Sequence, residues 1–326
     1  MEEAVDVAVV GAGPAGLSCA IEAQKAGLDV TVFEQGALLD AMRRFPTNLV
    51  WFSTPELLEI GGIPFITPSV RPTRIDVLNY YQHVARQYRL SVRAHDAVRT
   101  IVPSGKGFTL GTASGGTYAA ANVVVATGYF DTPNRLDVPG EDLPHVFHYY
   151  DEPFRYFGDD VAVVGGRNSA VEAALDLYRH GVRVTLIHRG ERLSDGVKYW
   201  ILPDIENRIK AGEIRALFGA TVRRIEPGAV TVRDAAGERR LDARFVFVLV
   251  GFRPDVGSMR AFGIELDRDS LAPLHDPATF ETRVPGLYVA GSVVAGRFNN
   301  KIFVENGRLH GAVIVRAILA RRAAAS

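Results

Sequence analysis

The fold of this 326-residue chain is decided by residues 5–16, which read VDVAVVGAGPAG. The apolar, β-branched run of residues 5–10 predicts a strand, and a Gly-x-Gly-x-x-Gly motif ends it. Gly11 permits a tight turn, Gly13 lets the backbone approach a pyrophosphate, and Gly16 lets a following helix pack closely on the strand. The motif therefore predicts the phosphate-binding turn of a βαβ unit.

The next segments complete that unit. Residues 17–26 have helical composition, and residues 28–33 form a second strand-like run. Glu34 follows this run, eighteen residues after Gly16, where a carboxylate can accept hydrogen bonds from ribose hydroxyls. The helix N-terminus favours an anion because its first N–H groups have no partner within the helix. We therefore expect a dinucleotide here; the alternative is a glycine turn that binds no nucleotide.

The same pattern recurs at residues 161–170, which read VAVVGGRNSA. A helix-like segment to residue 178 and a strand-like run, residues 182–187, follow it, so we expect a second dinucleotide site. Arg167 departs from the fingerprint because a glycine normally occupies this middle position. Its side chain either turns outward and clamps the pyrophosphate or obstructs the site, and we take the clamp as the working prediction.

Basic residues follow the last strand of this second unit. His188 and Arg189 come directly after it, and Arg192 is close behind. An acidic residue at this place would repel a ribose 2′-phosphate, whereas a guanidinium can pair with it through two hydrogen bonds. The sequence therefore predicts NADPH as the ligand of the second unit. The alternative is that these arginines lie on a solvated loop.

Two apolar runs that end in glycine, residues 123–128 and 246–251, mark the crossings between domains. The fold class that we expect is α/β, with two Rossmann-like dinucleotide-binding domains of three layers each (ββα). The first domain consists of residues 1–130 and 254–326, and the NADPH-binding domain, residues 131–253, is inserted into it.

The composition argues against several classes of partner. Lys plus Arg and Asp plus Glu each number 37, so the formal net charge is zero and there is no basic excess for a nucleic acid. We see neither the features of a secretory signal nor an apolar run that could span a bilayer, and we expect a cytoplasmic protein without a membrane partner. The single cysteine, Cys19, excludes an internal disulfide or dithiol couple.

Longer strings carry a family resemblance. Over essentially its whole length the chain resembles the thioredoxin-reductase-like flavoproteins, and within that group it resembles the bacillithiol-disulfide reductase (YpdA) family. The resemblance implies FAD in the first domain, NADPH in the second and often a homodimer, and a basic residue at position 167 is compatible with it. The resembling segments are residues 52–54 (FST), 58–65 (LEIGGIPF), 197–201 (VKYWI), 203–208 (PDIENR), 300–303 (NKIF) and 305–308 (ENGR).

One departure from the family concerns a thiol. The members tied to disulfide reduction carry a cysteine inside the first glycine motif, at the position that Ala15 fills here. The Cys-x-x-Cys pair of thioredoxin reductases is also missing. Cys19 lies four residues later, about one helical turn away, and we interpret it as a small core residue.

The expected chemistry begins with hydride transfer from the nicotinamide to the flavin, which does not strictly require a general acid or base, and the sequence leaves catalytic side chains unassigned. By resemblance, a helix that starts near Lys301 and Ile302 points its N-terminus at the flavin ring and stabilises negative charge there. An ordinary surface position is the alternative for Lys301.

Three hypotheses are open for the identity of the electron acceptor. The resemblance favours a low-molecular-weight disulfide such as bacillithiol disulfide. The missing thiols favour transfer to a small redox protein such as ferredoxin or flavodoxin, for which Arg43, Arg44 and Arg71 are candidate docking residues. Residues 147–150 (FHYY) are similar to a linker motif of flavin monooxygenases, the third hypothesis.

The expected site consists of cofactor-binding residues. We expect no metal site, because no His, Cys, Asp or Glu cluster has the spacing of metal ligands. His145, His148 and His310 line the flavin cavity or have structural roles. In the first domain the expected cofactor-binding residues are Gly11, Gly13, Pro14, Ala15, Gly16, Glu34, Gln35, Asn48, Phe52, Thr127, Gly128, Gly291, Ser292, Lys301 and Ile302. In the second domain they are Gly165, Gly166, Arg167, Asn168, Ser169, His188, Arg189, Arg192 and Gly251.

Overall fold

A computed structural model describes residues 4–105, 107–298 and 301–325, so Asn300 of the resembling strings lies outside the described residues. The chain divides into two compact units. The expected ranges put residues 44–49 in the first domain, whereas this segment clusters with the second unit. The first unit comprises Met1–Arg43, Val50–Thr132 and Phe252–Ser326, and the second comprises Arg44–Leu49 and Pro133–Gly251.

The first unit is built on a seven-stranded sheet. Its strands are β1 (Val5–Val10), β2 (Val30–Phe33), β3 (Ser91–Arg93), β4 (Val98–Ser104), β5 (Gly107–Thr112), β6 (Thr117–Val125) and β17 (Leu287–Val289). They lie in the order β3-β2-β1-β6-β5-β4, with β17 paired to β6. The strands β1, β2, β3, β6 and β17 pair in parallel, and β4, β5 and β6 pair antiparallel.

Side-chain alternation along β1 explains why this unit has three layers. Val7 and Val9 point into a core shared with two helices, whereas Ala8 and Val10 point into a core shared with β4 and β5. The parallel sheet therefore lies between a helical layer and an antiparallel layer. The helices of this unit are α1 (Pro14–Lys25), α2 (Asp40–Arg43), α3 (Arg74–Gln87), α6 (Val256–Ala261), α7 (Val304–Gly307) and α8 (His310–Ala325).

The second unit repeats this arrangement. Its elements are β8 (Val146–Phe147), β9 (Asp160–Val164), α4 (Asn168–Arg179), β10 (Arg183–Ile187), α5 (Leu202–Lys210), β11 (Arg215–Leu217), β12 (Thr221–Glu226), β13 (Ala229–Asp234), β14 (Gly237–Asp242) and β15 (Phe245–Val248). The five-stranded parallel sheet has the order β11-β10-β9-β15-β8, and a separate antiparallel sheet has the order β12-β13-β14. Val161 and Val163 of β9 pack against α4, whereas Ala162 and Val164 face the antiparallel strands.

The expected α/β class, with two dinucleotide-binding folds, is confirmed, and several element boundaries are corrected. The first helix begins at Pro14, because proline is well tolerated in the first turn, and not at residue 17. The helix expected near Lys301 begins at Val304 and is only four residues long. Two short strands, β7 (Thr132–Pro133) and β16 (Phe252–Arg253), lie where the chain passes between units. Among the described helices, none combines the length and the apolar character that a membrane crossing needs.

Candidate dinucleotide-binding sites

The three glycines of the first loop meet the requirements that their motif implies. Gly11 has φ +110°, and a Cβ there would lie 2.5 Å from the carbonyl oxygen of Ala126. A Cβ on Gly16 would lie 1.9 Å from the Gly11 carbonyl oxygen. A Cβ on Gly13 would meet no atom of the described residues within 4 Å, so Gly13 faces open space in this part of the structure. The loop is thus closed on its protein side and open where a pyrophosphate would approach.

The start of α1 fits an anionic group. Gly13 is the N-cap residue and has no side chain to accept from the first N–H groups, and the first turn contains no acidic residue. These N–H groups therefore have no side-chain acceptor of the usual capping kind. An anion placed there satisfies them and complements the positive end of the helix dipole. The residues fit the pyrophosphate of FAD.

Glu34 is buried at the end of β2 and ties this strand to the glycine loop. Its Oε2 accepts from the Ala12 N–H at 2.8 Å, and its Oε1 accepts from the Gly36 N–H at 3.0 Å. Burial raises the pKa of Glu34, and these two N–H donors oppose the rise. Each carboxylate oxygen can accept a further hydrogen bond, so the expected ribose contact stays open to Glu34.

Further predicted residues meet at the carboxyl ends of β6 and β17, the edge where open parallel sheets bind ligands. Gly128 follows β6, and a Cβ there would lie 3.5 Å from Ser292 Oγ. Gly291 follows β17 with φ +73°, and a Cβ there would lie 2.7 Å from the Ala15 Cβ. The structure therefore brings Ala15, Gly128, Gly291 and Ser292 together, and Thr127 precedes Gly128 at the same edge.

The remaining predicted residues of the first domain are engaged in other contacts or exposed to solvent. The amide of Gln35 donates to Asp131 Oδ2 at 2.7 Å. Asn48 belongs to the second unit, where its amide donates to Asp176 Oδ1 at 3.2 Å. Lys301 is exposed, with its Nζ 4.9 Å from the centroid of the Phe298 ring, whereas Ile302 packs near Gly307. Phe52 is 55% exposed.

Cys19 is buried on α1 where α8 crosses it. A Cβ on Gly311 of α8 would lie 2.9 Å from the Cys19 backbone, so the two helices pack closely at this point. Burial, with a smaller contribution from the negative charge of Glu22, raises the pKa of the Cys19 thiol to about 12. These surroundings are those of the core residue that the sequence predicts, and not of an attacking thiolate.

This pKa gives a testable prediction. At pH 8, a thiol with a pKa of about 12 is ionised in only roughly one molecule in 10⁴. We expect iodoacetamide to leave the native protein unmodified and fully active, and to alkylate Cys19 once the chain is unfolded in guanidinium. Intact-protein mass spectrometry measures both states. Stoichiometric alkylation of the native protein at pH 8 would contradict the core interpretation.

His310 begins α8 and contacts the predicted flavin-binding turn. Its Nδ1 accepts from the Gly291 N–H at 3.1 Å, and its ring stacks on Phe280 with centroids 4.1 Å apart. Burial, and next the proximity of His275, lowers the pKa of His310 to about 4. The imidazole therefore stays neutral near pH 7 and holds the backbone at residue 291.

The depressed pKa of His310 predicts a pH dependence of stability. Between pH 6.5 and about 4 the unfolded chain binds a proton that the folded chain does not, so stability is lost as the pH falls. The loss is on the order of 3 kcal/mol. The His310→Asn variant keeps an acceptor near Nδ1 but cannot titrate, so its melting temperature should fall less than that of the wild type. If the melting temperatures of the variant and the wild type fell by the same amount over this pH range, the prediction would be wrong.

In the second loop, neighbouring groups lie close to both glycines. Gly165 has φ +148°, and a Cβ there would lie 2.5 Å from the Leu249 carbonyl oxygen. A Cβ on Gly166 would lie 2.5 Å from the imidazole of His188, so His188 covers this glycine. Arg167 is the N-cap of α4 in an extended conformation, with φ −113° and ψ −174°, and its side chain is exposed. The α4 N-terminus, like that of α1, lacks a side-chain cap and an acidic first turn.

Asn168 contacts protein backbone with both ends of its side-chain amide. Its Nδ2 donates to the Gly196 carbonyl at 2.9 Å, and its Oδ1 accepts from the Lys198 N–H at 2.8 Å. Ser169 is exposed beside it, and Gly251, with φ +94°, follows β15. Sequence reasoning missed Lys198 as a site residue; it forms an ion pair with Glu172, 26 residues away, and no local motif indicates such a pair.

The predicted phosphate-binding residues create a positive field. His188 has a lowered pKa, first because of burial and then because of the positive charges of Arg189 and Arg167. Arg189 and Arg192 are exposed, and Arg192 pairs with Asp195 at 2.6 Å. The field favours an anionic group beside His188. In the ranges that the structure describes, no group of three or more His, Cys, Asp or Glu side chains is arranged to hold a metal ion.

Two glycine-loop βαβ units in one chain, each with an uncapped helix N-terminus, define the protein as an oxidoreductase with two dinucleotide sites. Residues 8–291 match the family described as pyridine nucleotide-disulphide oxidoreductase. The chain belongs to this family and is an enzyme that depends on FAD and a nicotinamide cofactor.

Individual relatives make the resemblance more specific. The chain is 41% identical over 316 residues to a Bacillus subtilis protein named bacilliredoxin reductase Bdr, and the match covers 96% of this chain and 97% of the relative. A solved structure named bacillithiol disulfide reductase Bdr (YpdA) from Bacillus cereus has a TM-score of 0.95 at 38% identity, with 98% of this chain and 100% of that chain covered. A Salinispora tropica protein named ferredoxin–NADP reductase is 30% identical over 301 residues, covering 89% and 86% of the two chains. The expected resemblance to the bacillithiol-disulfide reductase family is confirmed.

Proposed function

We propose that this enzyme uses NADPH to reduce a low-molecular-weight disulfide such as bacillithiol disulfide. The observation that carries the proposal is the 41% identity to bacilliredoxin reductase Bdr over nearly the whole of both chains. The balanced reaction takes NADPH, a proton and one disulfide to NADP⁺ and two thiols. By resemblance, we also propose a cytoplasmic homodimer.

The residues of the first unit bind FAD in this proposal. Gly13 and the N-terminus of α1 hold the pyrophosphate, because they offer open space and uncapped N–H groups. Glu34 binds the adenosine ribose, and the turn at Gly291 and Ser292 completes the site. FAD, when bound, accepts two electrons from the nicotinamide and makes them available to the acceptor.

The residues of the second unit bind NADPH. The N-terminus of α4 holds its pyrophosphate, with Arg167 as an external clamp. Arg189 and Arg192 bind the 2′-phosphate, which the positive field around His188 attracts. Since Arg192 is ion-paired with Asp195, we assign the main contact to Arg189.

The disulfide receives its electrons without a protein thiol in this proposal. Ala15 occupies the position of the family cysteine, and Cys19 is buried. Reduction through a mixed disulfide with the protein would need a thiolate that the chain does not supply at the first loop. Direct reduction of the bound disulfide is therefore the proposed route.

Transfer to a small redox protein is the second candidate. The missing thiol pair and the relative named ferredoxin–NADP reductase favour it. The surroundings of the expected docking residues argue against it, because Arg43 is paired with Asp40 at 2.9 Å and Arg71 donates to the Phe52 carbonyl. We therefore rank the disulfide first.

A panel of acceptors tests the proposal. The enzyme is reduced anaerobically with NADPH and mixed with bacillithiol disulfide, ferredoxin, flavodoxin or oxygen, and the return of flavin absorbance is followed. We expect rapid reoxidation by the disulfide, with two thiols released per NADPH. Reoxidation by ferredoxin or flavodoxin alone would establish the transferase instead. Oxygen uptake coupled to hydroxylation of a product would establish a monooxygenase.

A further inference from the structure

A segment of the second unit, residues 190–198, lies over the glycine loop; we call it the strap. The Ser194 N–H donates to the Gly166 carbonyl at 2.9 Å, which joins the middle of the strap to the loop itself. At the start of the strap, the Gly190 carbonyl accepts from the Gly219 N–H at 2.8 Å. The strap is therefore fixed at its start and its middle by backbone hydrogen bonds.

Lys198 ends the strap, and one face of α4 binds it at two points. Asn168 and Glu172 are four residues apart, so they lie on the same side of the helix. The Asn168 Oδ1 accepts from the Lys198 backbone N–H, and the Glu172 Oε1 lies 2.8 Å from Lys198 Nζ. Because α4 begins at Asn168, two residues after Gly166, these two contacts fix the end of the strap relative to the phosphate-binding loop.

The Lys198–Glu172 pair is not an ordinary surface ion pair. The Lys198 side chain is 8% exposed and the Glu172 side chain is 20% exposed. A buried ion pair gives little net stability over an apolar pair of the same size, but it demands one geometry because each charge needs its partner. The pair is therefore suited to fixing a position.

The strap begins at the residues that face a 2′-phosphate in the proposed function. Arg189 directly precedes the strap and Arg192 lies within it. No ion pair joins Arg189 to another residue in the described part of the chain, so within the reach of its side chain the position of its backbone limits where the guanidinium can bind. We infer that Lys198, through its pair with Glu172, is a positioning residue that sets the preference for NADPH over NADH. This inference rests on the proposed role of Arg189.

The test measures the affinities of the FAD-loaded enzyme for NADP⁺ and NAD⁺ by isothermal titration calorimetry. In Lys198→Met we expect the Kd for NADP⁺ to rise about tenfold, because the phosphate contact is misplaced, while the Kd for NAD⁺ changes less than about twofold. Lys210→Met, an exposed lysine on α5, is the matched control and should alter neither Kd. The Lys198→Glu/Glu172→Lys double variant restores the pair and should recover most of the preference.

A double-mutant cycle tests the route of the effect. If Lys198 acts through Arg189, then in an Arg189→Ala background the Lys198→Met change should alter the Kd for NADP⁺ less than about twofold. If Lys198→Met does not fold, Glu172→Gln replaces it, since this variant removes the charge and keeps the shape.

Two results overturn the inference. Equal weakening of NADP⁺ and NAD⁺ binding in Lys198→Met, or an unchanged ratio, would show that Lys198 has only a structural role. Equal affinities in the wild type would remove the NADPH assignment together with the inference. The acceptor panel is independent of both results, so failure of the disulfide proposal stays distinguishable.

Discussion

Replacing Gly16 by alanine should destabilise the first unit by more than about 4 kcal/mol and yield little soluble, yellow protein. Alanine in a helix gains about 1 kcal/mol over glycine. Here its Cβ would lie 1.9 Å from the Gly11 carbonyl oxygen, which is backbone and cannot turn aside. The clash therefore exceeds the gain in helix propensity, and β1 and α1 cannot keep their packing. Soluble yield and the melting temperature measure the effect.

Gly13→Ala is the matched control for this variant. Among the residues that the structure describes, none has an atom within 4 Å of a Cβ at this position, and Gly13 has an ordinary φ of −79°. We expect the apoprotein to melt within about 2 °C of the wild-type apoprotein, because no packing is disturbed. The Kd for FAD should rise at least about tenfold, since the new methyl group occupies the approach of the pyrophosphate. A Gly16→Ala protein as stable as Gly13→Ala would contradict the packing argument.

Ala15→Cys should increase NADPH-driven reduction of bacillithiol disulfide at least about tenfold. The Ala15 Cβ lies beside Gly291, the residue at the turn that the proposed function assigns to the flavin, since a Cβ on Gly291 would be 2.7 Å from it. Members that the chain resembles and that reduce disulfides carry a cysteine at this position. Its thiolate would attack one sulfur of the disulfide and release the other half as a thiol, and two electrons from NADPH, delivered through the flavin, would then reduce the mixed disulfide. Steady-state NADPH oxidation at several disulfide concentrations measures the gain.

Two controls distinguish the chemical effect of the thiol group from the steric effect of a larger side chain. Ala15→Ser has nearly the same size and no thiol, and it should stay at the wild-type rate or below it. Iodoacetamide should abolish the increase in activity that Ala15→Cys shows over the wild type, and it should leave the wild-type activity unchanged. Equal rates for the cysteine and serine variants would mean that the direct route needs no help from a thiol at this position.

The glycine motifs made the fold predictable because their requirements are local. Gly11 and Gly16 are demanded by backbone contacts a few residues away or across one strand, and the spacing of the motif encodes them. The boundaries were less predictable. Lys301 and Ile302, where the sequence predicts the start of a helix, come just before a four-residue helix that begins at Val304. Gly307 of this helix packs closely against Gly291, a contact between segments that the local sequence does not encode.

The site was predictable where it follows strand ends and unpredictable where distant side chains meet. Glu34 and Gly291 come at the ends of parallel strands, so their convergence follows from topology. The contact of His310 with the Gly291 N–H and the pair between Lys198 and Glu172 join residues from separate elements. Composition and periodicity cannot predict such contacts, because they describe only the local sequence.

Residues 44–49 determine which fragment of this protein contains the whole second unit. The Thr47 N–H donates to the Asp151 carbonyl at 2.7 Å, and Asn48 binds Asp176 on α4. An excised fragment of residues 133–251 would therefore lose the hydrogen bond from Asn48 to α4, the helix that follows the second glycine loop, and the hydrogen bond from Thr47 to Asp151. A chimera that exchanges the second unit between relatives must therefore transfer two segments, Arg44–Leu49 and Pro133–Gly251, because only then does the transferred unit keep these contacts.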